Sequence, residues 1–204
     1  MSAVPNPKYT FDDYLARERV ATVKSEFYRG EIFAMAGGSP RHNTISGNVF
    51  AILRNCLRGS PCRPFNSDQR IRITANTLST YPDVSIICGE VQVDQEDQDA
   101  IINPRVIFEV LSKSTESYDR GKKFDLYRQL ESLQEYVLVS QDEPQIDRFT
   151  RQDDGSWNLT ITKGLENSIQ LSSLLGVLPI AGIYEDVIFG PEEAASSARV
   201  QSNG

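Results

Sequence analysis

Two short apolar runs in this chain each carry a single carboxylate: Tyr81-Pro82-Asp83-Val84-Ser85-Ile86-Ile87 and Val106-Ile107-Phe108-Glu109-Val110-Leu111. Runs of this length and composition predict strands covered on both faces, like the central strands of a sheet. An acid in such a strand is costly unless it is paired, hydrogen-bonded or metal-bound, so two of them on neighbouring strands imply a site. The segment that follows the second run, from Ser112 to Lys123, can return the cations Lys122 and Lys123 to the same end of the sheet. Two acids and a lysine are the elements of a magnesium-dependent hydrolytic centre.

The elements around these strands follow from local pattern. Thr10 followed by Asp13 predicts a capping box, and Phe11, Tyr14 and Leu15 at helical spacing extend it into a helix over 10–20. Ser25 to Tyr28 and Glu31 to Ala36 flank Arg29-Gly30 and predict a hairpin. Ser39-Pro40 opens a second helix whose apolar stripe is Ile45, Val49, Ile52, Leu53 and Cys56. From Arg63 to Ile73 the alternation of Phe65, Ser67, Gln69, Ile71 and Ile73 with polar residues predicts one half-exposed strand, with Asp68, Arg70 and Arg72 on its solvated face. Asp119 is read as the cap of a helix carrying Phe124, Leu126, Tyr127 and Leu130, and Glu135 to Ser140 as a further buried strand. Ile146 to Thr150 and Trp157 to Thr162, joined through Asp153-Asp154-Gly155, predict a closing hairpin.

A chain of 204 residues, 39% hydrophobic, predicts one domain, placed at 9–190 after an extension over 1–8. The small, polar stretch 191–204 reads as a disordered tail. A net charge of -7 argues against coating nucleic acid by bulk electrostatics, although an enzyme needs only a local basic cleft. Part of that excess lies in Asp94 to Asp99, read as a solvated loop. Cys56, Cys62 and Cys88 form no metal-binding spacing and are read as core or incidental thiols. No stretch approaches the roughly 20 apolar residues of a membrane span, and the N-terminus lacks a signal-peptide core, so a cytoplasmic protein is expected. Phosphate-loop, dinucleotide-loop and zinc-finger patterns are absent from the sequence.

Taken in order, Phe27-Tyr28-Arg29-Gly30-Glu31-Ile32, His42, Tyr81-Pro82-Asp83-Val84-Ser85, Phe108-Glu109-Val110-Leu111-Ser112, Tyr118 to Lys123, Tyr127 and Glu135-Tyr136-Val137 resemble the Uma2 family of restriction-endonuclease-like proteins. The resemblance spans roughly residues 9–190, and no single motif carries it. It implies the fold class of the PD-(D/E)XK nucleases: α/β, a mixed β-sheet flanked by helices, here with additional β-hairpins. It also implies a divalent cofactor, Mg2+ or Mn2+, held by Asp83 and Glu109 with the Val110 carbonyl as a further ligand, and a lysine assisting the attacking water. Pro82-Asp83 matches the first motif, whereas Glu109-Val110-Leu111 has leucine where the superfamily usually has lysine. Related families move that lysine to the following helix. Lys123 takes the role here because it stands four residues before Tyr127 on one helical face, with Lys122 second. Glu26 is a weaker candidate for completing the site.

Each assignment has a structural alternative. Asp83 could be a turn residue after proline, and Glu109 a core acid held by Lys123 in an ion pair without catalytic use. Glu26 reads equally well as a surface acid beside a hairpin, and His42 is read first as a helix-start residue. A glycosidase also uses paired carboxylates, but it gives the nearby lysine no part and finds a single Trp in the chain. The expected function is therefore a metal-dependent nuclease acting on nucleic acid, DNA first. Its rival is a non-catalytic nucleic-acid- or protein-binding module that keeps the nuclease fold. A homodimer would supply the two symmetry-related sites that cutting both strands of a duplex requires.

Overall fold

Thr10 and Asp13 cap each other's backbone at the start of helix α1 (Phe11–Glu18) in the computed structural model, which describes residues 8–113, 115–174 and 176–190. The reciprocal bonds satisfy two of the donors that a helix start leaves open. Tyr14 and Leu15 turn inward from α1 onto Phe27 of β1 (Ser25–Tyr28) and form a small separate core with it. Arg29 and Gly30, both at positive φ, make the tight turn to β2 (Glu31–Ala34). Helix α2 (Pro40–Cys56) opens on Ser39, whose hydroxyl accepts the His42 amide.

The predicted strand over Arg63–Ile73 is two strands. β3 (Cys62–Asn66) and β4 (Arg70–Ile73) are separated by a turn in which the Gln69 and Asp68 amides return to Asn66, and they enter different sheets. β4 is buried along its whole length, so Arg70 and Arg72 are not solvated. Arg70 pairs with Asp97 at 2.8 Å, and Arg72 lies over the Phe11 ring. Asp94 and Asp97 are likewise buried, Asp94 accepting the amides of Glu96 and Asp97. The acidic stretch read as a solvated loop is therefore partly internal: aspartates that satisfy buried arginines and turn amides can leave solvent.

After the turn Thr74–Asn76 come β5 (Leu78–Thr80), β6 (Val84–Cys88), β7 (Ala100–Ile101) and β8 (Val106–Val110). The next helical stretch starts as α3 (Glu116–Tyr118), widens into a π-helical turn at Asp119–Lys123 and regains α geometry as α4 (Phe124–Tyr127). Asp119 thus lies inside the helical stretch instead of capping it. β9 (Glu135–Val139), β10 (Gln145–Arg151) and β11 (Trp157–Lys163) follow, and the expected hairpin joins the last two. The small hairpin β12 (Ser168–Leu171) with β13 (Gly176–Pro179), and the short α5 (Ile180–Ile183), had no reading in the sequence.

The strands order as β11-β10-β9-β8-β6-β3 in a six-stranded mixed sheet and as β2-β1-β5-β4-β7 in a second sheet. β8 and β9 run parallel, which the connecting helical stretch permits, whereas β6 runs antiparallel to β8. Alternation divides β8 between two cores. Val106, Phe108 and Val110 face the core that holds Ile45, Val49 and Leu53 of α2, while Ile107 and Leu111 face the one containing Leu126, Tyr127 and Leu130. This is the expected α/β architecture of mixed sheets covered by helices.

Among the described residues, no helix is long and apolar enough to cross a bilayer. Cys62 and Cys88 are not separate thiols. The β3–β6 register sets them opposite each other with Cα atoms 3.9 Å apart, and they form a disulfide, leaving Cys56 as an exposed thiol. The extension 1–7 and the tail 191–204 lie outside the described residues.

Candidate functional site

Strand register brings the two acids together. β6 and β8 pair Val84 with Phe108, and one step further along the same register sets Asp83 opposite Glu109. Facing residues of an antiparallel pair share a face, and alternation gives Glu109 the face of Ile107 and Leu111, toward the helical stretch. Asp83 is fixed from two sides: its Oδ2 accepts the Val110 amide at 2.7 Å and lies 3.2 Å from Nε2 of His42 on α2.

Lys123 enters from the π-helical turn. Its Nζ is 2.9 Å from Glu109 Oε1 and 3.6 Å from both Glu26 Oε1 and Asp119 Oδ1. Tyr127, one helical turn on, donates its hydroxyl to Glu109 Oε1 at 2.9 Å, and Thr80 donates its hydroxyl to Glu26. The four-residue spacing read between Lys123 and Tyr127 thus places both groups on the same carboxylate. Leu111, where the superfamily usually has lysine, packs into the core beside Leu126 and Tyr127. Lys122 is directed elsewhere, over the ring of Tyr28.

Asp83, Glu109, Lys123, Glu26, Asp119, His42 and Val110 line one open cleft of about 1030 Å³. Burial pushes the Glu109 carboxyl up to about 8 despite Lys123, and the charges of Asp83 and Asp119 add to the rise. Burial also raises the Asp119 pKa. Burial alone would lower Lys123, but Glu109, Glu26 and Asp119 outweigh it and hold the ammonium well above its ordinary pKa. For His42, likewise, the hydrogen bond and charge of Asp83 overcome burial and raise its pKa.

Four carboxylates thus surround one buried lysine, and this local excess of negative charge fits a bound cation. All donors are hard oxygens, the set that magnesium and manganese prefer. Among the described residues, no three His, Cys, Asp or Glu side chains converge as a metal-ligating group. A magnesium ion is commonly held by one or two carboxylates and keeps several waters, so Asp83, Glu109 and a backbone oxygen suffice to fit it.

Two cleft residues were assigned other roles from sequence. Asp119 was read as a cap although its i, i+4 relation to Lys123 carried the pairing signal, and His42 as a helix-start residue. Nothing local marks the partner of His42, which belongs to a segment 41 positions further along the chain. Burial alone does not identify this site. Glu135 and Asp147 are also buried strand acids, but Glu135 accepts the amide and hydroxyl of Ser173, and Asp147 pairs with Arg120.

Comparison with known proteins adds to this geometry. A family model described as "Uma2: Putative restriction endonuclease" matches residues 11–181. "Uncharacterized protein slr1290" from Synechocystis sp. (strain ATCC 27184 / PCC 6803 / Kazusa) is 37% identical over 187 residues, 92% of this chain and 97% of that protein. "Uncharacterized protein sll1609" from the same organism is 37% identical over 163 residues, 80% of this chain and 92% of that protein. A crystal structure described as that of a "putative nuclease belonging to DUF820" from Anabaena variabilis ATCC 29413 superposes with a TM-score of 0.69 at 17% identity. That match covers 86% of this chain and 97% of the other, and it establishes likeness of fold.

Proposed function

The chain belongs to the Uma2 family of restriction-endonuclease-like proteins, and on that premise we propose that its cleft hydrolyses phosphodiester bonds of nucleic acid, DNA first, with a divalent cation, Mg2+ or Mn2+, as cofactor. The observation that carries this reading is the convergence of Asp83, Glu109 and Lys123, drawn from two strands and the following helical stretch, at one end of the mixed sheet.

Asp83 and Glu109 would hold the cation, with the Val110 carbonyl as a backbone ligand. When bound, the cation supplies Lewis acidity toward the phosphate and lowers the pKa of a water at neutral pH. The protein's own groups do the rest. His42 and the Val110 amide occupy Asp83 Oδ2, which keeps the carboxylate from turning and leaves Oδ1 toward the cleft. Lys123 holds a positive charge at the cleft floor, where it can orient the attacking water or stabilise the phosphorane-like transition state. Tyr127 keeps Glu109 Oε1 in place, and Glu26 and Asp119 keep Lys123 protonated. A cytoplasmic location and a homodimer with two sites on a duplex accord with this reading.

The test is metal binding followed by single-turnover cleavage of labelled DNA and RNA in magnesium, manganese or chelator. Asp83→Ala should abolish both binding and cleavage while leaving stability in chelator unchanged or higher, because one of two repelling charges is gone. Strong destabilisation without any change in metal affinity would instead favour a structural ion pair. The close Lys123–Glu109 pair favours a second reading, a nucleic-acid- or protein-binding module that keeps the nuclease fold without turnover. Binding without cleavage in any metal would select it.

A further inference from the structure

The β1–β2 hairpin has two faces with opposite fates. Phe27 and Ile32, paired across the strands, turn inward to the small core under α1. The neighbouring pair, Glu26 and Phe33, takes the other face. Glu26 on that face reaches Lys123 at 3.6 Å, so Phe33 stands one strand further out, roughly 4.8 Å away by ordinary strand spacing. β2 is the free edge of its sheet. Phe33 is 46% exposed and Val23 57%, and both line the cleft together with Met35. The Met35 amide bonds to the Lys24 carbonyl and holds this lip to the hairpin. No core recruits these side chains, and an aromatic ring standing open beside a charged centre is a surface for a flat apolar ligand.

The cations around the cleft restrict what that ligand can be. Lys24 is engaged by Asp68 and the Ser67 carbonyl, Arg41 by the carbonyls of Gln141 and Gly190, and Lys123 by buried acids. Lys113 lines the cleft and makes no ion pair among the described residues. Duplex DNA is bound mainly through many phosphate contacts and hides its base faces in the stack. A single strand needs fewer contacts, and its bases are free to stack on aromatic rings. With few uncommitted cations, an aromatic lip and a net charge of -7, the second substrate suits this cleft and the first does not.

We propose that the cleft takes a single-stranded stretch of nucleic acid, with a base stacked on Phe33 beside Val23 and Met35 and the adjoining phosphodiester directed toward Lys123. This inference rests on the phosphodiesterase reading of the cleft and names its substrate class.

The test is fluorescence anisotropy of short labelled oligonucleotides at one fixed salt concentration, with calcium to support binding and again with chelator. Single-stranded DNA, single-stranded RNA and a blunt duplex of the same sequence are the arms, and the DNA and RNA arms separate the two sources of single strand. Wild-type protein should bind a single strand more tightly than the duplex. Phe33→Ala should weaken single-strand binding about tenfold, within what stacking one base contributes. Phe33→Tyr should retain it, and calorimetric calcium binding should be the same in all three proteins. Equal or tighter duplex binding, an unaffected Phe33→Ala, or no binding of any oligonucleotide would overturn the inference. Phe33-dependent single-strand binding without cleavage in any metal would remove the hydrolytic reading and leave this one. Cleavage of duplex that is indifferent to Phe33→Ala would do the reverse.

Discussion

Replacing Glu109 by Gln tests the electrostatics of the site without any metal. In the folded protein burial holds the Glu109 carboxyl up to about 8, against an ordinary value of 4.5. Below pH 4.5 the group is protonated in both states and contributes no pH dependence. Between pH 4.5 and about 8 the unfolded chain releases this proton and the folded chain keeps it, so each step up in pH favours unfolding. Above about 8 the penalty is complete and constant. At about 1.4 kcal/mol per pH unit, a rise from 4.5 to about 8 gives a ceiling of about 5 kcal/mol. The amide cannot ionise, so its stability relative to wild type should climb by several kcal/mol across that window. Denaturant unfolding of both proteins in chelator from pH 5 to pH 8.5 measures the difference, and contributions common to both cancel. A difference that stays flat with pH would refute the reasoning: Glu109 would then be ionised throughout, its attraction to Lys123 exceeding the cost of burial.

Lys123→Met should slow cleavage while sparing the Asp83 carboxylate, and should destabilise the protein by about 3–5 kcal/mol, because the carboxylates facing Lys123 lose their buried counter-charge. The loss should be smaller near pH 5, where Glu109 is protonated, and unfolding at two pH values shows whether it is. His42→Leu should weaken calorimetric magnesium binding by freeing Asp83 Oδ2, whereas His42→Gln, which offers an amide donor, should restore most of it. Cys62→Ser should lower stability by about 2–4 kcal/mol, as for a disulfide closing a loop between residues 26 apart, and reductant should do the same to wild type in a thermal melt.

The sequence by itself determined what a few neighbouring residues can decide. The Thr10–Asp13 box, the Arg29-Gly30 turn, the Ser39-Pro40 helix start and the apolar periods of β6, β8 and β9 are all written within one or two turns of chain. The Lys123–Tyr127 spacing belongs with them, because a helical repeat fixes which side chains share a face. Alternation even assigned Asp68, Arg70 and Arg72 to one face of a strand. It could not show that a turn at Ser67 to Gln69 breaks that strand, or that Asp97 and Phe11 bury the arginines.

Tertiary structure decided which acids meet. Asp83 and Glu109 lie 26 residues apart, and only the β6–β8 register sets them opposite each other. The disulfide rests on the β3–β6 register, and the His42–Asp83 contact on how α2 packs against the sheet. Glu135 and Asp147 read in sequence much as Glu109 does, yet each is satisfied by its own partners away from the cleft. A carboxylate's burial follows from its strand, but its partners follow from long-range register. The energy of a buried charge depends on those partners, so the site's chemistry appears only once the sheet is assembled.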